Sequence, residues 1–305
     1  MGVGVLVPGT SANLGPGFDS FGLALDVFNR FEAELADAWH VDVEGEGTGS
    51  LRTDGRNRVA QAMARAFAEA GRPQLRAQIN CVNRIALGNG LGSSAAAIVG
   101  GLMLGEALAE VEIGQQRLLE IATEMEGHPD NAAAALVGGF TVCWNDGVRP
   151  HFARFQPARG LAAVVVVATG ELSTTTARRM LPEAVPHADA AFNVAHAGLL
   201  AASIATGRPE LLGAALEDRL HEMYRASAVT DLQPVYTILR NAGAAGVALS
   251  GAGPTVIGLV AGDTDEIAHQ LAAEVAQRAA EPVRQLGTRR PPEALRIDRA
   301  GARLL

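Results

Sequence analysis

Apolar and polar positions divide the chain into segments of two periods. Residues 3–7 form an apolar run that predicts a strand, residues 21–31 a second, and residues 33–43 a third whose partial alternation suits a half-exposed antiparallel sheet. Residues 57–70 switch to the helical period, with Val59, Ala62, Met63, Ala66 and Phe67 on one stripe and arginines opposite. Leu75, Ala77, Ile79 and Cys81 then alternate with polar residues, as in a strand with one wet face. Residues 98–108 are apolar nearly all round, which predicts a buried helix, and residues 115–126 predict an amphipathic one. A strand follows at 140–144. The irregular stretch 145–160 suggests a boundary, which divides the chain into domains of residues 1–155 and 156–305.

Beyond that boundary, residues 161–168 are the most apolar strand and should sit centrally in a second sheet. Ser173 should cap a helix carrying Arg178 and Arg179 and stopped by Pro182. Helices are expected at 188–206, 210–225, 232–242 and 264–279. Residues 247–260 read as strand, glycine turn, strand, and 295–297 as a short closing strand.

The most informative stretch is residues 88–97, Gly-Asn-Gly-Leu-Gly-Ser-Ser-Ala-Ala-Ala, which leads from a strand into the buried helix. Spaced glycines before a helix leave backbone N–H groups free, and with the helix dipole they form an anion site, most often for phosphate. A mobile Gly-Ser linker would not run into an apolar helix. The sequence has no lysine, so all 25 basic residues are arginine, which excludes the phosphate loop ending in Gly-Lys-Ser/Thr and the lysine-dependent protein kinases. Residues 90–95 also match the dinucleotide pattern Gly-x-Gly-x-x-Gly/Ala. However, the preceding strand has a wet face and a helix follows where a second strand should be, so a Rossmann unit does not fit.

Two cysteines, Cys81 and Cys143, suit a reducing compartment better than a disulfide framework. No charged-then-apolar leader stands at the amino terminus and no apolar run approaches the ~20 residues of a membrane span, so a cytoplasmic protein is expected. The net charge of -8 and the few aromatic residues argue against a nucleic-acid surface.

Two further glycine-framed segments stand in order with the first. Residues 126–131 read Glu-Gly-His-Pro-Asp-Asn, with Asp130 placed to cap a short helix, and residues 249–256 read Leu-Ser-Gly-Ala-Gly-Pro-Thr-Val. Together with residues 8–26, Pro-Gly-Thr-Ser-Ala-Asn-Leu-Gly-Pro-Gly-Phe-Asp-Ser-Phe-Gly-Leu-Ala-Leu-Asp, these motifs span nearly the whole chain. The chain resembles the GHMP kinases, and among them most closely the homoserine kinases. The glycine motif at 90–97 marks only the superfamily. The first motif and the Glu-Gly-His-Pro-Asp-Asn segment are more specific.

The resemblance implies an α+β, two-domain GHMP kinase fold, with an amino-terminal domain like domain 2 of ribosomal protein S5 and a ferredoxin-like carboxy-terminal domain. It implies ATP-dependent phosphorylation of the L-homoserine hydroxyl in threonine biosynthesis, with Mg²⁺, and a possible homodimer. By the same resemblance Gly88, Gly90, Leu91, Gly92, Ser93 and Ser94 hold the ATP phosphates, Asn57 meets adenine, and the turn containing Gly251 and Gly253 closes over the site. Ser94 and Glu120 are the implied magnesium ligands, with Glu124 one turn on as the substitute for Glu120. Arg178 and Arg225 fall at carboxylate-binding positions, which suits guanidinium. Asn13 and Asp19 fall on the amino-group side with Thr174 and His128, and Asp130 and Asn131 face the hydroxyl. Ala86 stands where many family members have proline.

Catalysis is then expected from positioning and charge neutralisation, with Asp19, Asp130 and Asn131 as the catalytic set. An amide at 131 cannot take a proton as a carboxylate would, so no dedicated base is expected there, and the γ-phosphate itself could take the hydroxyl proton. Two alternatives are a GHMP kinase for another small alcohol, such as mevalonate, a sugar or shikimate, and a catalytically silent GHMP-fold sensor.

Overall fold

The computed structural model describes all residues except 1, 168–171, 173, 230 and 289, so the expected cap at Ser173 lies outside the described residues. In chain order the elements are β1 (Val3–Ala12), β2 (Phe21–Ala36), β3 (His40–Gly45), α1 (Arg58–Glu69), β4 (Arg76–Asn83), α2 (Ser93–Ala109), α3 (Gln115–Glu126), α4 (Asp130–Val137), β5 (Phe140–Asn145) and β6 (Pro150–Phe155). They continue with β7 (Leu161–Val166), α5 (Thr174–Arg179), α6 (His187–Thr206), a 3₁₀ turn (Pro209–Leu211), α7 (Leu212–Ala215), α8 (Glu222–Arg225), α9 (Leu232–Ala242), β8 (Gly246–Leu249), β9 (Val256–Ala261), α10 (Asp265–Gln285), β10 (Glu293–Arg296) and β11 (Arg303–Leu304).

The first sheet runs β11-β1-β2-β4-β3, with β5 joined to β2 and β6 to β5. Residues 21–31 and 33–43, expected as two strands, are largely one 16-residue strand, β2, followed by the separate β3. The chain has no reason to break at Glu32, because Phe31 and Ala33 are buried while Arg30 and Glu34 are exposed, and β4 pairs continuously from Arg30 to Ala36. The stretch 145–160 is also more than a linker: β6 pairs antiparallel with β5, from Phe140 opposite Phe155 to Asn145 opposite Pro150.

One core lies between this sheet and helices α1 to α4, filled by side chains such as Phe31, Met63, Phe67, Ile79, Leu102 and Leu119. The buried helix α2 owes its place to small residues. A Cβ on Gly101 would stand 2.4 Å from the Val59 carbonyl oxygen and 2.7 Å from the Ala62 Cβ of α1, so the two helices meet backbone to backbone.

The second sheet runs β10-β7-β9-β8, all antiparallel, and places the wholly buried β7 in its interior as expected. Helices α9 and α10 cover one face around Val164, Val166, Tyr236, Leu239, Val275 and Val283. The helix expected at 210–225 is broken into three short pieces. The break has a local cause: the Asp218 carboxylate accepts the backbone N–H groups of Leu220, His221 and Glu222 at 2.8–3.0 Å, which starts a new helix there. After β10 the chain returns to the first sheet, where Leu304 of β11 pairs with Val5. Helix α6 has 20 residues and a mean hydropathy of 1.2 over an 18-residue window that is 22% buried, so by length and composition it meets the requirement for a span that the sequence reading found nowhere.

Gly101→Ala is expected to destabilise the protein by up to about 2 kcal/mol, read as a lower urea midpoint at unchanged slope. The gain in helix propensity of about 1 kcal/mol is outweighed by an overpacking cost of roughly 1–3 kcal/mol against a backbone oxygen that cannot turn aside.

Candidate active site

The expected anion loop is held from two sides. Gly90, Gly92 and Gly88 all have positive φ, and Gly92 caps α2 with no side-chain hydrogen bond, so the first-turn N–H groups of α2 are left for a ligand. A Cβ on Gly90 would lie 2.2 Å from the Ser250 carbonyl oxygen, and one on Gly92 would lie 2.0 Å from Thr10 Oγ1. Backbone hydrogen bonds fix the same approaches: Thr10 N–H donates to Leu91 O (3.0 Å), Thr255 N–H to Asn89 O (3.3 Å) and Gly251 N–H to Ala12 O (2.9 Å). The Ser250 hydroxyl bonds Gly90 O at 2.6 Å and Ser11 Oγ at 2.9 Å.

These loops enclose a cavity of about 150 Å³ that brings together most of the expected residues: Asn13, Asp19, Gly88, Gly90, Gly92, Ser93, Ser94, His128, Asp130, Asn131, Thr174, Arg178, Arg225, Gly251 and Gly253 all line it. Leu91 is buried beneath the loop and contributes its carbonyl to Thr10.

At the floor, Asp130 is the first residue of α4, not its cap, and its carboxylate bonds its surroundings. Asp130 Oδ1 meets His128 Nδ1 at 2.6 Å and accepts the Asn131 backbone N–H at 2.7 Å. Burial pulls the His128 pKa down, but the hydrogen bond to Asp130 and the charges of Asp130, Glu126 and Asp19 outweigh it, so the net shift is upward. His128 Nε2 is buried without a partner among the described residues. Asn131 Oδ1 accepts from Thr10 Oγ1 at 2.7 Å, which leaves the Asn131 amide group to present N–H donors.

At the other end, Arg178 donates from Nη1 and Nη2 to the two oxygens of Asp19 at 2.8 and 2.7 Å, and this bond raises the Arg178 pKa. Asp19 has φ +56°, and Asn13 Oδ1 accepts its N–H at 2.9 Å while Asn13 Nδ2 donates to Gly251 O at 2.7 Å. Arg225 is 2% exposed. Burial lowers its pKa. Phe18 lies under both guanidinium groups, 5.7 Å from Arg178 and 5.3 Å from Arg225.

Three further expected residues, Glu120, its substitute Glu124, and Asn57, do not line this cavity. The Glu120 carboxylate is bonded by Gln116 and Arg117, and Glu124 pairs with Arg65. The acid that meets Ser94 is Glu126, with Ser94 Oγ donating to Glu126 Oε2 at 2.8 Å, and Arg58 Nη2 bonding the same oxygen at 3.2 Å. Glu126 stands inside the Glu-Gly-His-Pro-Asp-Asn motif, so the motif itself carried the signal for it. Asn57 lines a neighbouring groove of about 560 Å³ together with Gly88, Ser93, Ser94 and Asn83. Its side chain caps α1, with Oδ1 accepting Val59 N–H at 2.9 Å and Nδ2 donating to Arg52 O at 2.7 Å, so both of its polar atoms are already engaged.

Sequence reasoning also missed the buried carboxylate behind Arg225. Glu222 accepts the Tyr236 hydroxyl and the Leu249 N–H, both at 2.7 Å, and burial pushes its pKa up to about 7.

Comparison with known proteins gives the same direction throughout. The family model described as the GHMP kinases N terminal domain matches residues 57–139, and that of the GHMP kinases C terminal matches residues 200–279. A homoserine kinase of Clavibacter michiganensis is 47% identical over 92% of this chain and 89% of its own length, and one of Streptomyces avermitilis is 45% identical over 84% and 85%. The crystal structure of a homoserine kinase from Cytophaga hutchinsonii superposes with a TM-score of 0.87 at 24% identity, covering 100% of this chain and 97% of the other. An L. major mevalonate kinase in complex with R-mevalonate superposes at 0.72 and 13% identity, covering 98% and 95%, a likeness of fold.

The folded-state pKa of Glu222 is raised above its unfolded value of 4.5, so its contribution to stability is full below about pH 4.5 and is lost as pH rises to about 7. Glu222→Gln should remove that part of the profile: unfolding free energies across pH 4.5 to 7 should diverge from those of the unsubstituted protein by about 3 kcal/mol over the window, with the variant the flatter of the two.

Proposed function

The chain belongs to the GHMP kinases, and within them to the homoserine kinases, and from that premise we propose that it transfers the γ-phosphoryl group of ATP to the hydroxyl of L-homoserine, the step that leads towards threonine. The observation that carries the choice of substrate is the Asp19–Arg178 pair, joined at 2.7 and 2.8 Å with Arg225 beside it. A carboxylate and two guanidinium groups at one end of a small cavity mirror an amino-acid head, which carries one ammonium and one carboxylate. Mevalonate, a sugar or shikimate offers no cation for Asp19.

In this reading Arg225 and Arg178 take the carboxylate of homoserine, and Asp19, with Asn13 holding its backbone, takes the ammonium beside Thr174. The side chain then points towards Asp130 and His128, where the hydroxyl is oriented. The triphosphate lies along the loop from Gly88 to Ser94, against the first N–H groups of α2, with the turn at Gly251 and Gly253 above it. The groove lined by Asn57 and Asn83 continues from that loop and takes the nucleoside.

The Ser94 hydroxyl and the Glu126 carboxylate form a sparse, hard-oxygen donor pair beside the phosphate loop, which fits Mg²⁺ completing its shell with phosphate oxygens and water. When bound, the ion neutralises charge on the β- and γ-phosphates. Among the described residues no cluster of three or more His, Cys, Asp or Glu would hold a metal by itself.

The hydroxyl oxygen forms the new bond to the γ-phosphorus as the bond to the ADP oxygen breaks. Asn131, whose carbonyl oxygen is committed to Thr10, presents N–H donors to the transferring phosphoryl oxygens and accepts no proton. The hydroxyl proton passes to a phosphoryl oxygen of the product. Holding the two reactants in line and stabilising the spread negative charge is the protein's share of the work.

An assay coupled to ADP release, run across L-homoserine, mevalonate, galactose and shikimate, is expected to give the highest kcat/KM with L-homoserine; a higher value with any of the others overturns the assignment. The place of the acidic ligand is tested separately. Glu126→Gln should lower kcat by about 100-fold, the scale of losing one electrostatic contact to a transferring group, and Glu120→Gln should stay within about threefold of the unsubstituted enzyme, as expected for a surface substitution away from the site.

A further inference from the structure

Arg225 is held by a neighbour to which neither the family comparisons nor the reading above assigns a part. Its Nη1 donates to Gly251 O at 3.1 Å and meets His221 Nδ1 at 3.1 Å, so both hydrogens of that nitrogen are spoken for. Its Nε–H is buried and has no partner among the described residues. Guanidinium has no acceptor, so His221 Nδ1 must accept and the ring proton must sit on Nε2. The other contact agrees, because Nε2 lies 2.8 Å from Gly15 O, a carbonyl that can only accept. The nearest charged group on that side, Asp218 Oδ1, is 3.9 Å from Nε2 and already receives Asn193 Nδ2 and Leu220 N–H. The imidazole is fully buried and stacks on Phe18 with ring centroids 5.2 Å apart, on the same ring that underlies Arg225 and Arg178.

We propose that His221 is a positioning residue for substrate recognition: as a neutral Nε2–H imidazole anchored to Gly15, it occupies one end of the Arg225 guanidinium and so leaves the Nε edge free to receive the carboxylate of an amino-acid substrate side on. Two parallel N–H donors on one edge match two carboxylate oxygens, and a guanidinium free to rotate would offer that edge only part of the time. The imidazole also ties the loop carrying Gly15 to the segment carrying Arg225, so the ammonium-binding Asp19 and the carboxylate-binding Arg225 keep a fixed spacing.

The inference rests on the assignment of Arg225 to the substrate carboxylate, and the test separates the two. Steady-state kinetics are measured with L-homoserine and with 3-aminopropan-1-ol, which is homoserine without its carboxylate, for the unsubstituted enzyme, His221→Gln and His221→Asn. Glutamine can keep a donor near Gly15 O but removes the acceptor at the Nδ1 position; asparagine keeps an acceptor there and gives up the Gly15 bond. His221→Gln should raise the KM for homoserine by about 30-fold, the scale of one hydrogen bond to a charged group, with kcat and the ATP KM changed far less. The preference for homoserine over the amine should fall by the same factor, and His221→Asn should recover much of it.

If His221→Gln leaves the preference within about twofold, or lowers turnover of both alcohols alike, the imidazole is only a packing element and the proposal is overturned. If the unsubstituted enzyme itself does not prefer homoserine over the amine, the assignment of Arg225 fails first. A ¹⁵N spectrum of the unsubstituted protein gives a check that needs no variant to fold: the His221 resonances should report the neutral Nε2–H form, and an Nδ1–H tautomer or an imidazolium would overturn the proposal.

Discussion

The constraint on which the site depends is the close meeting of three chain segments from two sheets. The Gly88–Ser94 loop, the end of β1 and the turn between β8 and β9 are joined by backbone hydrogen bonds between Thr10 and Leu91, Thr255 and Asn89, and Gly251 and Ala12, with the Ser250 hydroxyl and the Asn13 amide bridging them as well. Any residue larger than glycine at position 90 would place a Cβ inside van der Waals contact with Ser250, and at position 92 with Thr10. Glycine here is therefore a requirement of assembly as well as of ligand access. Because these segments are bonded to one another, the phosphate end of the cavity is built from the same contacts that hold the two sheets together.

Much of this was legible in the sequence because it is local. Spaced glycines before an apolar helix, the alternation of β4 and the amphipathic stripe of α1 each follow from a few consecutive residues. The long β2 was less legible: its continuity through Glu32 is decided by pairing with β4, which lies some 45 residues on. The broken helix near Asp218 was hidden for another reason, since its helical period is real and a single carboxylate capping three N–H groups overrides it.

The site residues divide the same way. Those within a motif, such as His128, Asp130, Asn13 and Asp19, line the cavity. Glu120, which stands outside these motifs, does not, because helical phase decides which side chains face the loop, and Glu126 at the end of α3 is the acid that reaches Ser94. Asn57 illustrates a different limit. Its position beside the nucleoside groove agrees with the family pattern, and its side chain also caps α1 through Oδ1 and bonds Arg52 O through Nδ2, a second duty that no motif reveals. His221 and Glu222 carried no motif signal that was read, and only the folded chain shows them against Arg225 and the turn after β8.

The absence of lysine sharpens what the remaining groups must do. A lysine ammonium can lose its proton and serve as an acid or base, whereas guanidinium stays charged across the accessible pH range and only donates. Every guanidinium near the cavity is therefore a fixed donor, and the acceptors, Asp19, Asp130 and Glu126, are each already bonded, to Arg178, to His128 and to Ser94. Substrate must exchange with these contacts instead of filling empty valences. That favours a ligand whose own charges reproduce the pairs it displaces, because each group of the part-exposed Asp19–Arg178 pair then exchanges one opposite charge for another. A zwitterionic head at Asp19 and Arg178 meets that condition, and a triphosphate against bare N–H groups displaces no charge at all. Selectivity for the alcohol and tolerance of the nucleotide's charge thus follow from one arrangement, in which Asp19 and Arg178 are paired with each other before binding, while the Nε edge of Arg225 and the phosphate end are left open.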